Sequence, residues 1–489
     1  MTARTAPAAA TAGFEMVVGL EVHVQLRTRT KAFCLCDTTY GAPPNANTCP
    51  VCLALPGALP VLNAEAVALA VRAALALDCT VNPVSVFARK NYFYPDLPKG
   101  YQISQYDRPL AEHGRLDLGP GEDGAPLVVG ITRLHMEEDA GKSIHDRYPG
   151  VSAIDLNRAG VPLVEIVSEP DMRSARQALA YLKALKLLLE YIDVSDVNME
   201  EGSLRVDANV SARPRGSVRL GTKTEVKNMN SFSGVERALE AEFARQCAVL
   251  AAGGRIEQQT MLWDGARGEV RPARSKEQSH DYRYFPEPDL PPLVLDADDI
   301  ARARAALPEL PRARRERFAR EYALPAADID VLTASAPLAD YFESVTRVHG
   351  DAKDAANWVM GEVLAHLNAA GSTLDRFPVS APDLGALLGL VRDGTVSRSA
   401  ARTVFARMVE TGEAPRAIAE REGLVQVRDD DELARWVDEV LAENTAEAAR
   451  FRAGERKLLG VLVGLVMKKS RGRADPRRVN QLLSERAGG

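Results

Sequence analysis

Four cysteines near the start of the chain have the spacing of a metal site. They form a C-x-C pair and a C-x2-C pair within one segment rich in Gly, Pro and Asn: Cys34, Cys36, Cys49 and Cys52. In a reducing compartment, four thiolates at these spacings favour one tetrahedral zinc ion over disulfides. Ordinary cysteines packed in a loop are the alternative. A four-thiolate site leaves no coordination position open for water, so we expect a structural role.

A second group of candidate ligands consists of acids and one histidine on segments that alternate like β-strands. They are Glu21 and His23 in VVGLEVHVQL, Glu137 in the run MEED, and Glu165 in VPLVEIVS. Carboxylate oxygens are the ligands that Mg²⁺ prefers, and a phosphate-transferring site needs such ions to neutralise its substrate. Taken singly, each of these residues is more often a solvent-facing charge. Glu165 is the most informative, because an unpaired carboxylate in an apolar strand would be costly.

The sequence has no common nucleotide-binding motif in the context that such a motif requires. The GKS at residues 141–143 resembles the end of a P-loop, but that motif requires glycine where Met136 stands. The only G-x-G-x-x-G, at residues 119–124, does not open a predicted helix. Use of ATP would therefore depend on a cleft of metal ions and carboxylates. The sequence also contains no evident nucleophile or Gly/Ser-rich amidase segment, so a chain that makes amides would need a partner to supply ammonia.

Composition is typical of a soluble chain with several domains. The 489 residues exceed one ordinary core, and 26% of them are charged and 46% hydrophobic. The longest apolar run, Leu458–Met467, is far too short to cross a bilayer. The opening MTARTAPAAATAG lacks the apolar stretch of a signal peptide. We therefore expect a cytoplasmic protein without a membrane span.

Basic residues are concentrated at the C-terminal end. Residues 451–489 contain ten Lys or Arg and three acids, a local charge of +7 in a chain whose net charge is −6. Such a segment is typical of contact with a polyanion, and a solvated basic helix is the plainer alternative. The residues expected to contact nucleic acid are Lys468, Lys469, Arg471, Arg473, Arg477 and Arg478.

The elements that must position these residues follow from hydrophobic periodicity. Period-two alternation from about residue 16 to residue 294 predicts a sheet rich in antiparallel strands, with a few helices. Strands such as VVGLEVHVQL and SLRVDANVS carry charge on one face only, so that face lines a wet cleft. Helices are predicted over 64–77, 174–191 and 233–250, the last with Ser233 and Glu236 as a capping box.

A change of composition after the proline cluster PEPDLPPL predicts an α+β domain followed by helices. The predicted domains are residues 1–298, 299–412 and 413–489. Asp475 and Pro476 fit the N-cap and the first residue of the last helix. Cys79 and Cys247 lie alone in apolar contexts, and we interpret them as small core residues.

Long segments of the sequence resemble the B subunits of aspartyl/glutamyl-tRNA(Asn/Gln) amidotransferases. The matching segments are GLEVHVQL, RKNYFYPDLPKGYQISQ, ITRLHMEEDAGKS, DLNRAGVPLVEIVSEPDMRS, SDVNMEEGSLRVDANVS, TEVKNMNSF, HDYRYFPEPDLPPL and LVGLVMKKSRGRADPRRVNQLL. They extend over nearly the whole chain from about Phe14, and motifs of this length are very specific.

The resemblance implies a fold and a reaction. The first domain would be a cradle similar to the catalytic domain of glutamine synthetase, followed by an all-α helical domain and a small YqeY-like tail domain that binds tRNA. With ATP, the enzyme would phosphorylate the side-chain carboxylate of misacylated Glu-tRNA(Gln) or Asp-tRNA(Asn), and ammonia would then displace the phosphate. The amidase (glutaminase) A subunit would supply the ammonia, and the small C subunit would complete the heterotrimer.

The resemblance also implies roles for individual residues. Its motifs place the Mg²⁺ ligands at Glu21, His23, Glu137 and Glu165. Beside Glu137, the catalytic group would include Lys90 and Glu138, next to which ammonia would arrive. A surface ion pair of little energetic weight is the alternative for those two residues. Some family members lack the cysteine cluster, and the presence of all four cysteines here favours structural Zn²⁺.

Two other functions fit parts of this pattern. The first is a tRNA-binding scaffold that has lost its chemistry, but all four ligands of the acidic site are present. The second is a ligase similar to glutamine synthetase that acts on a free small acid, but a small substrate needs no basic tail. The sequence does not distinguish Glu-tRNA(Gln) from Asp-tRNA(Asn) as the substrate.

Overall fold

The computed structural model describes residues 11–121, 124–145, 149–273, 282–427, 429–470 and 472–487. The chain divides into a first compact unit, Met1–Pro311, and a second, Arg312–Gly489. The boundary predicted near residue 298 falls inside a helix, Ala297–Ala305, whose Ile300 and Ala303 pack against the core of the first unit.

The first unit is built on a large mixed sheet. Its strands are β1 Phe14–Gln25, β2 Thr80–Val81, β3 Val84–Ser85, β4 Phe87–Asn91, β5 Tyr101–Gln105, β6 Ala111–Pro120, β7 Pro126–Glu138, β8 Lys142–Ile144, β9 Ala153–Asp155, β10 Pro162–Ser168, β11 Leu204–Pro214, β12 Thr224–Lys227, β13 Thr260–Asp264, β14 Glu269–Pro272, β15 Phe285–Pro286 and β16 Leu293–Val294. In the described chain, nine strands form one sheet in the order β14-β13-β12-β11-β1-β10-β7-β6-β2. Its pairs are antiparallel except β12 with β13.

Helices cover one face of this sheet. They are α1 Ala64–Ala76, α2 Ala175–Tyr191, α3 Phe232–Ala251 and α4 Ala297–Ala305. The buried side chains of Leu20, Val22 and Val24 share one core with the apolar faces of α1, α2 and α3. The alternate residues of β1 therefore lie on the opposite, polar face, as the alternation predicted.

The first turn of α3 differs from the prediction. The N-cap is Ser231, whose Oγ accepts a hydrogen bond from the Gly234 amide at 3.0 Å. Ser233, which was expected to open a capping box with Glu236, lies inside the helix instead. The helix begins at Phe232 because SFSG places an earlier serine three residues before an amide that needs an acceptor.

Three small sheets accompany the large one in the described chain. In one, β4 lies between β15 and β5; β16 pairs with β3, and β8 pairs with β9 elsewhere. The strand β5 brings Gln102 and Ser104 onto a carboxylate of β7. The small sheet of β15, β4 and β5 is thus the element that covers the acidic end of β7.

The second unit is helical. Its helices are α5 Pro311–Tyr322, α6 Ala326–Leu332, α7 Ala336–His349, α8 Ala352–Trp358, α9 Leu364–Ala370, α10 Ala381–Arg392, α11 Arg398–Thr411, α12 Pro415–Arg421, α13 Asp430–Glu443, α14 Thr445–Arg452, α15 Leu458–Lys469 and α16 Pro476–Ala487. A π-helical turn, Val359–Val363, joins α8 to α9. Asp475 caps α16 by accepting the Arg477 amide at 2.8 Å, which confirms the predicted N-cap.

Buried apolar residues of the second unit form two clusters. One extends from Phe318 to Ala419, and the other extends from Leu433 to Leu483. Across the ranges that the structure describes, no helix combines the length and the hydrophobicity needed to cross a membrane. Cys79 and Cys247 are both buried, as expected of small core residues.

Candidate metal centres and active site

Three of the predicted acidic-site residues meet on the polar face of the large sheet. One ligand atom each from His23, Glu137 and Glu165 lies within 4.8 Å of the others. The register sets His23 of β1 directly opposite Glu165 of β10, and their side chains approach to 3.5 Å between Nε2 and Oε2. Glu137 of β7 completes the group, with its Oε2 4.0 Å from His23 Nε2. Two carboxylates and an imidazole so arranged can hold a divalent cation.

Glu21 lies beside this group and not within it. It occupies the same face of β1 as His23, and its Oε1 accepts a hydrogen bond of 2.9 Å from the side-chain amide of Asn209. Residues two apart on a strand are separated by about 6.7 Å, so both cannot approach Glu165 equally. Burial raises the pKa of Glu21, and the charge of Glu165 raises it further.

His135 is a site residue that the sequence reasoning missed. It lies opposite Glu165 on the other side of β10, and its Nε2 is 3.3 Å from both Glu137 and Glu165. The signal was present, because His135 precedes Glu137 by two residues and must share its face of the strand. Its side chain is 3% exposed, so it belongs to the interior of the cluster.

Charges around the cluster keep its carboxylates ionised in dry surroundings. Burial opposes ionisation of Glu137, but the nearby Lys90 and His135 hold its pKa well below the usual value. Burial likewise opposes ionisation of Glu165, and His135 and His23 lower its pKa. Burial also opposes protonation of His135, yet Glu165 and Glu137 raise its pKa to about 9. The cluster therefore offers ionised oxygen ligands at neutral pH.

Hydrogen bonds from β5 fix the orientation of Glu137. Gln102 Nε2 donates to Glu137 Oε2 at 3.1 Å, and Ser104 Oγ donates to Oε1 at 2.6 Å.

Lys90 of β4 lies over the ring of Tyr282, with its Nζ 5.0 Å from the ring centroid. Burial disfavours the charge of Lys90, but Glu137 raises its pKa so that it stays protonated. The carboxylate is thus held by neighbours that leave it charged.

Lys90 and Glu138 do not form an ion pair with each other in the described structure. Glu138 forms its ion pair with Lys99 and accepts the Ile103 amide at 3.0 Å. Consecutive residues of a strand face opposite sides, so Glu137 turns towards Lys90 while Glu138 turns away. The Glu138–Lys99 pair borders a cavity of about 200 Å³, whose other walls include the cysteine-bearing segment and Tyr101.

The four cysteines converge as predicted. Their Sγ atoms all lie within 4.8 Å of one another, and Cys52 Sγ is 3.9 Å from both Cys36 Sγ and Cys49 Sγ. Four sulfurs at about 2.3 Å from a tetrahedral zinc ion would be roughly 3.8 Å apart, whereas a disulfide brings two sulfurs to about 2.05 Å. The Cys49 amide also donates to Cys52 Sγ at 3.0 Å, which stabilises a thiolate. The geometry is compatible with a structural metal.

Several basic residues of the C-terminal tail already have partners. Lys469 forms ion pairs of 2.9 and 2.6 Å with two glutamates of α13. Arg478 donates to both oxygens of Asp430 at 2.6 Å. The guanidinium of Arg473 lies 5.6 Å from the centroid of the Trp436 ring. The ion pairs lie at the surface, where such pairs contribute little and can exchange for others.

Two other tail residues remain available. Lys468 and Arg477 are exposed, and neither forms an ion pair with another residue that the structure describes. Arg471, the remaining predicted contact, lies outside the described residues.

Comparison with known proteins agrees with this architecture. A family model described as the GatB/GatE catalytic domain matches residues 16–301, and one described as the GatB domain matches residues 340–486. The B subunit of the aspartyl/glutamyl-tRNA(Asn/Gln) amidotransferase of Myxococcus xanthus is 52% identical over 477 residues, covering 97% of this chain and 99% of the relative. The proteins of the same name from Moorella thermoacetica and Geobacter sulfurreducens are 54% and 52% identical, each covering 97% of this chain and 99% and 100% of the relative.

The sheet with its acidic cluster is therefore a catalytic domain of the GatB/GatE class, followed by a GatB domain. The chain belongs to the family of aspartyl/glutamyl-tRNA(Asn/Gln) amidotransferase B subunits. The resemblance inferred from its motifs is confirmed.

Proposed function

We propose that the protein is the component of a tRNA-dependent amidotransferase that activates the aminoacyl side chain and converts it to an amide. Its substrates would be Glu-tRNA(Gln), Asp-tRNA(Asn) or both, with ATP as the phosphoryl donor. The relatives bear the name of such an enzyme, and the chain has the length of these relatives. The reaction would be that of a ligase that forms carbon–nitrogen bonds with glutamine as the amide donor.

The meeting of His23, Glu137 and Glu165 is the observation that supports this proposal most. We assign the Mg²⁺ site to these residues together with the adjacent Glu21. When bound there, Mg²⁺ would neutralise the phosphates of ATP and allow them to approach a substrate carboxylate. His135, Gln102 and Ser104 would hold the ligand carboxylates in position, since each contacts Glu137.

Activation is needed because a carboxylate is a poor electrophile. Direct attack by ammonia would expel oxide, whereas phosphorylation turns the same oxygen into part of a phosphate leaving group. Lys90, held protonated beside Glu137, adds a positive charge next to the site where these anions meet. The acids of the cluster thus hold the cation, and the lysine limits their net negative charge.

Ammonia would be supplied by a partner. We propose the amidase (glutaminase) A subunit as its source and the small C subunit as the third member, because the sequence has no evident group that releases ammonia. The arrival point would lie beside Lys90 and Glu138. The cavity next to the Glu138–Lys99 pair supports the part of this placement that concerns Glu138.

We further propose that residues 1–298 form a cradle similar to the catalytic domain of glutamine synthetase. Residues 299–412 would form a helical domain, and residues 413–489 a YqeY-like tail that binds tRNA. The helical part contains two separate apolar clusters, which supports two domains there; the first cluster extends to Ala419, beyond the proposed boundary at residue 412. The exposed Lys468 and Arg477 support tRNA contact by the tail. Zn²⁺ would hold the loop that carries Cys34, Cys36, Cys49 and Cys52.

The metal cluster can be tested by replacing Glu165 with Gln in the complex assembled with its partner subunits. The change removes one negative charge and keeps the size of the side chain. We expect tRNA-dependent ATP cleavage and amide formation to fall together by at least about tenfold, while glutaminase activity of the partner persists. Glu65→Gln, an exposed change on α1, is the matched control. Wild-type ATP cleavage by the Glu165→Gln complex would place the phosphorylation site elsewhere.

A further inference from the structure

Arg205 ends a row of four side chains that crosses the sheet through the metal cluster. The register sets His135 opposite Glu165, Glu165 opposite His23, and His23 opposite Arg205 of β11. Neighbouring strands are about 4.8 Å apart, so the backbone of Arg205 lies one strand spacing from that of His23, a proposed metal ligand. None of the sequence motifs had singled it out as a site residue.

The side chain of Arg205 lies on the polar face. Its neighbours Leu204 and Val206 belong to the core on the helical side, and Asn209, four residues later, contacts Glu21 of the cleft. The Arg205 side chain is 39% exposed, which is unusual next to so many buried charges. It is therefore both attached to the cluster and open to a ligand.

A buried carboxylate anchors this arginine. Asp139, whose side chain is 1% exposed, accepts a hydrogen bond of 2.9 Å from Arg205 Nη2. Its second oxygen accepts from Gln25 at 2.7 Å, so the carboxylate is fixed by two strands. A guanidinium has five N–H groups, and Asp139 is the side chain to which Arg205 donates in the described structure. The other N–H groups of Arg205 have no acceptor among the residues that the structure describes.

A purely structural role does not explain this arrangement. Asp139 has another arginine within 3.6 Å, Arg158, which is tied to the carbonyls of Ala140 and Gly141. Arg205 lacks such backbone acceptors among the residues described. A fixed cation beside a cation site also weakens metal binding unless an anion comes between them. A phosphoryl group is such an anion, and two of its oxygens can accept the paired N–H groups of a guanidinium.

We propose that Arg205 binds the phosphoryl group that passes from ATP to the side-chain carboxylate, and that Asp139 is the positioning residue for it. This inference rests on the proposed function. In the transfer, the bond from the γ-phosphorus to the bridging oxygen of ADP breaks, and a bond to the carboxylate oxygen forms. ADP leaves with the electron pair, and no proton moves. Ammonia then forms the C–N bond as the C–O bond breaks, and the proton that nitrogen loses balances the release of hydrogen phosphate.

The test compares Arg205→Ala and Arg205→Lys in the assembled complex. Binding of a non-hydrolysable ATP analogue and of ADP, each with Mg²⁺, is measured by calorimetry beside the kcat of amide formation. We expect Arg205→Ala to lower the affinity for the analogue at least about tenfold and to change the affinity for ADP little. The same variant should lower kcat by about a hundredfold. Arg205→Lys should recover part of the kcat, because it restores the charge without the fork. Arg27→Ala, which removes an exposed arginine paired with Asp193, is the control.

Two results would overturn the inference. The first is that Arg205→Ala changes neither the affinity for the analogue nor kcat. The second is that it lowers the affinities for the analogue and for ADP equally and also lowers the melting temperature, which would indicate a structural role. Glu165→Gln is measured in parallel. If it loses activity while Arg205→Ala does not, the proposed function stands and this inference fails. If Glu165→Gln keeps activity, the proposal that the cluster around Glu165 is the phosphorylation site fails.

Discussion

Glu165 lies at the middle of the candidate site because two neighbouring strands each place a histidine opposite it. The apolar strand around Glu165 predicted that its carboxylate needs a partner, and that was correct. The family motifs placed His23 at this site, but its pairing with Glu165 and the presence of His135 were not predicted, because the three residues come from distant parts of the chain. Their meeting depends on cross-strand register, which alternation within one strand does not determine.

Replacing His135 with Asn should lower amide formation by roughly 10- to 100-fold, because Glu137 and Glu165 both lose a partner at 3.3 Å. Titration of activity with Mg²⁺ should show a raised requirement for the metal. His113→Asn is a matched control, since His113 is exposed and its φ of 57° is one that Asn accepts. Normal activity and Mg²⁺ dependence in His135→Asn would show that His135 only fills space.

At the scale of elements, periodicity predicted the strands and helices of the first unit but not their finer contacts. The helices predicted over 64–77, 174–191 and 233–250 are present with ends shifted by a residue or two. The capping box of α3 was wrong, because two serines compete for the same turn and local sequence does not rank them. Lys99 was likewise missed as the partner of Glu138, since a loop and not a strand pattern brings it there.

The cap of α3 gives a direct test of this element. Ser231→Ala should reduce the free energy of unfolding by about 1 kcal/mol, because the Gly234 amide loses its acceptor. Ser233→Ala should change it by less than about 0.5 kcal/mol, since an exposed helical serine gains slightly in helix propensity. Chemical denaturation of the two variants decides the matter, and the reverse order of effects would restore Ser233 as the cap.

The loop that carries the four cysteines has little regular structure of its own, so its order should depend on metal. Cys36→Ala should reduce bound zinc from about one ion per chain to well below one, and limited proteolysis should then cut between residues 34 and 61. Cys247→Ala, a buried cysteine remote in sequence, should keep its zinc. Metal analysis of the two proteins is sufficient, and equal zinc in both would reject the site.

At the scale of the whole molecule, the uneven charge was evident from composition, but the use of each charge was not. Lys469 and Arg478 form ion pairs within the tail, whereas Lys468 and Arg477 are exposed and form none with the residues that the structure describes. A count of basic residues cannot distinguish these cases, because the acids that pair with them lie on another helix. The +7 of the tail therefore overstates the charge that is free to meet a polyanion.

The double change Lys468→Ala with Arg477→Ala should weaken binding of tRNA and lower the slope of log affinity against log salt by about two, one for each lost phosphate contact. Lys469→Ala with Arg478→Ala removes the same charge from paired positions and should lower the slope less. Filter binding or anisotropy at several salt concentrations measures both. Equal slopes in the first variant and the wild type would mean that the tail does not contact tRNA.

The position of β1 in the middle of the large sheet has a consequence for synthesis of the chain. Its neighbours β10 and β11 end at Ser168 and Pro214, so the first strand to emerge must wait for both. At the usual 5–20 residues per second, translation leaves β1 with an unpaired edge for roughly 10–40 s. An apolar strand with an unpaired edge readily pairs with strands of other chains. Polar and charged residues within the strand oppose such aggregation. Glu21 and His23 would thus oppose aggregation of the nascent chain at the same positions where the folded protein gathers its proposed metal ligands.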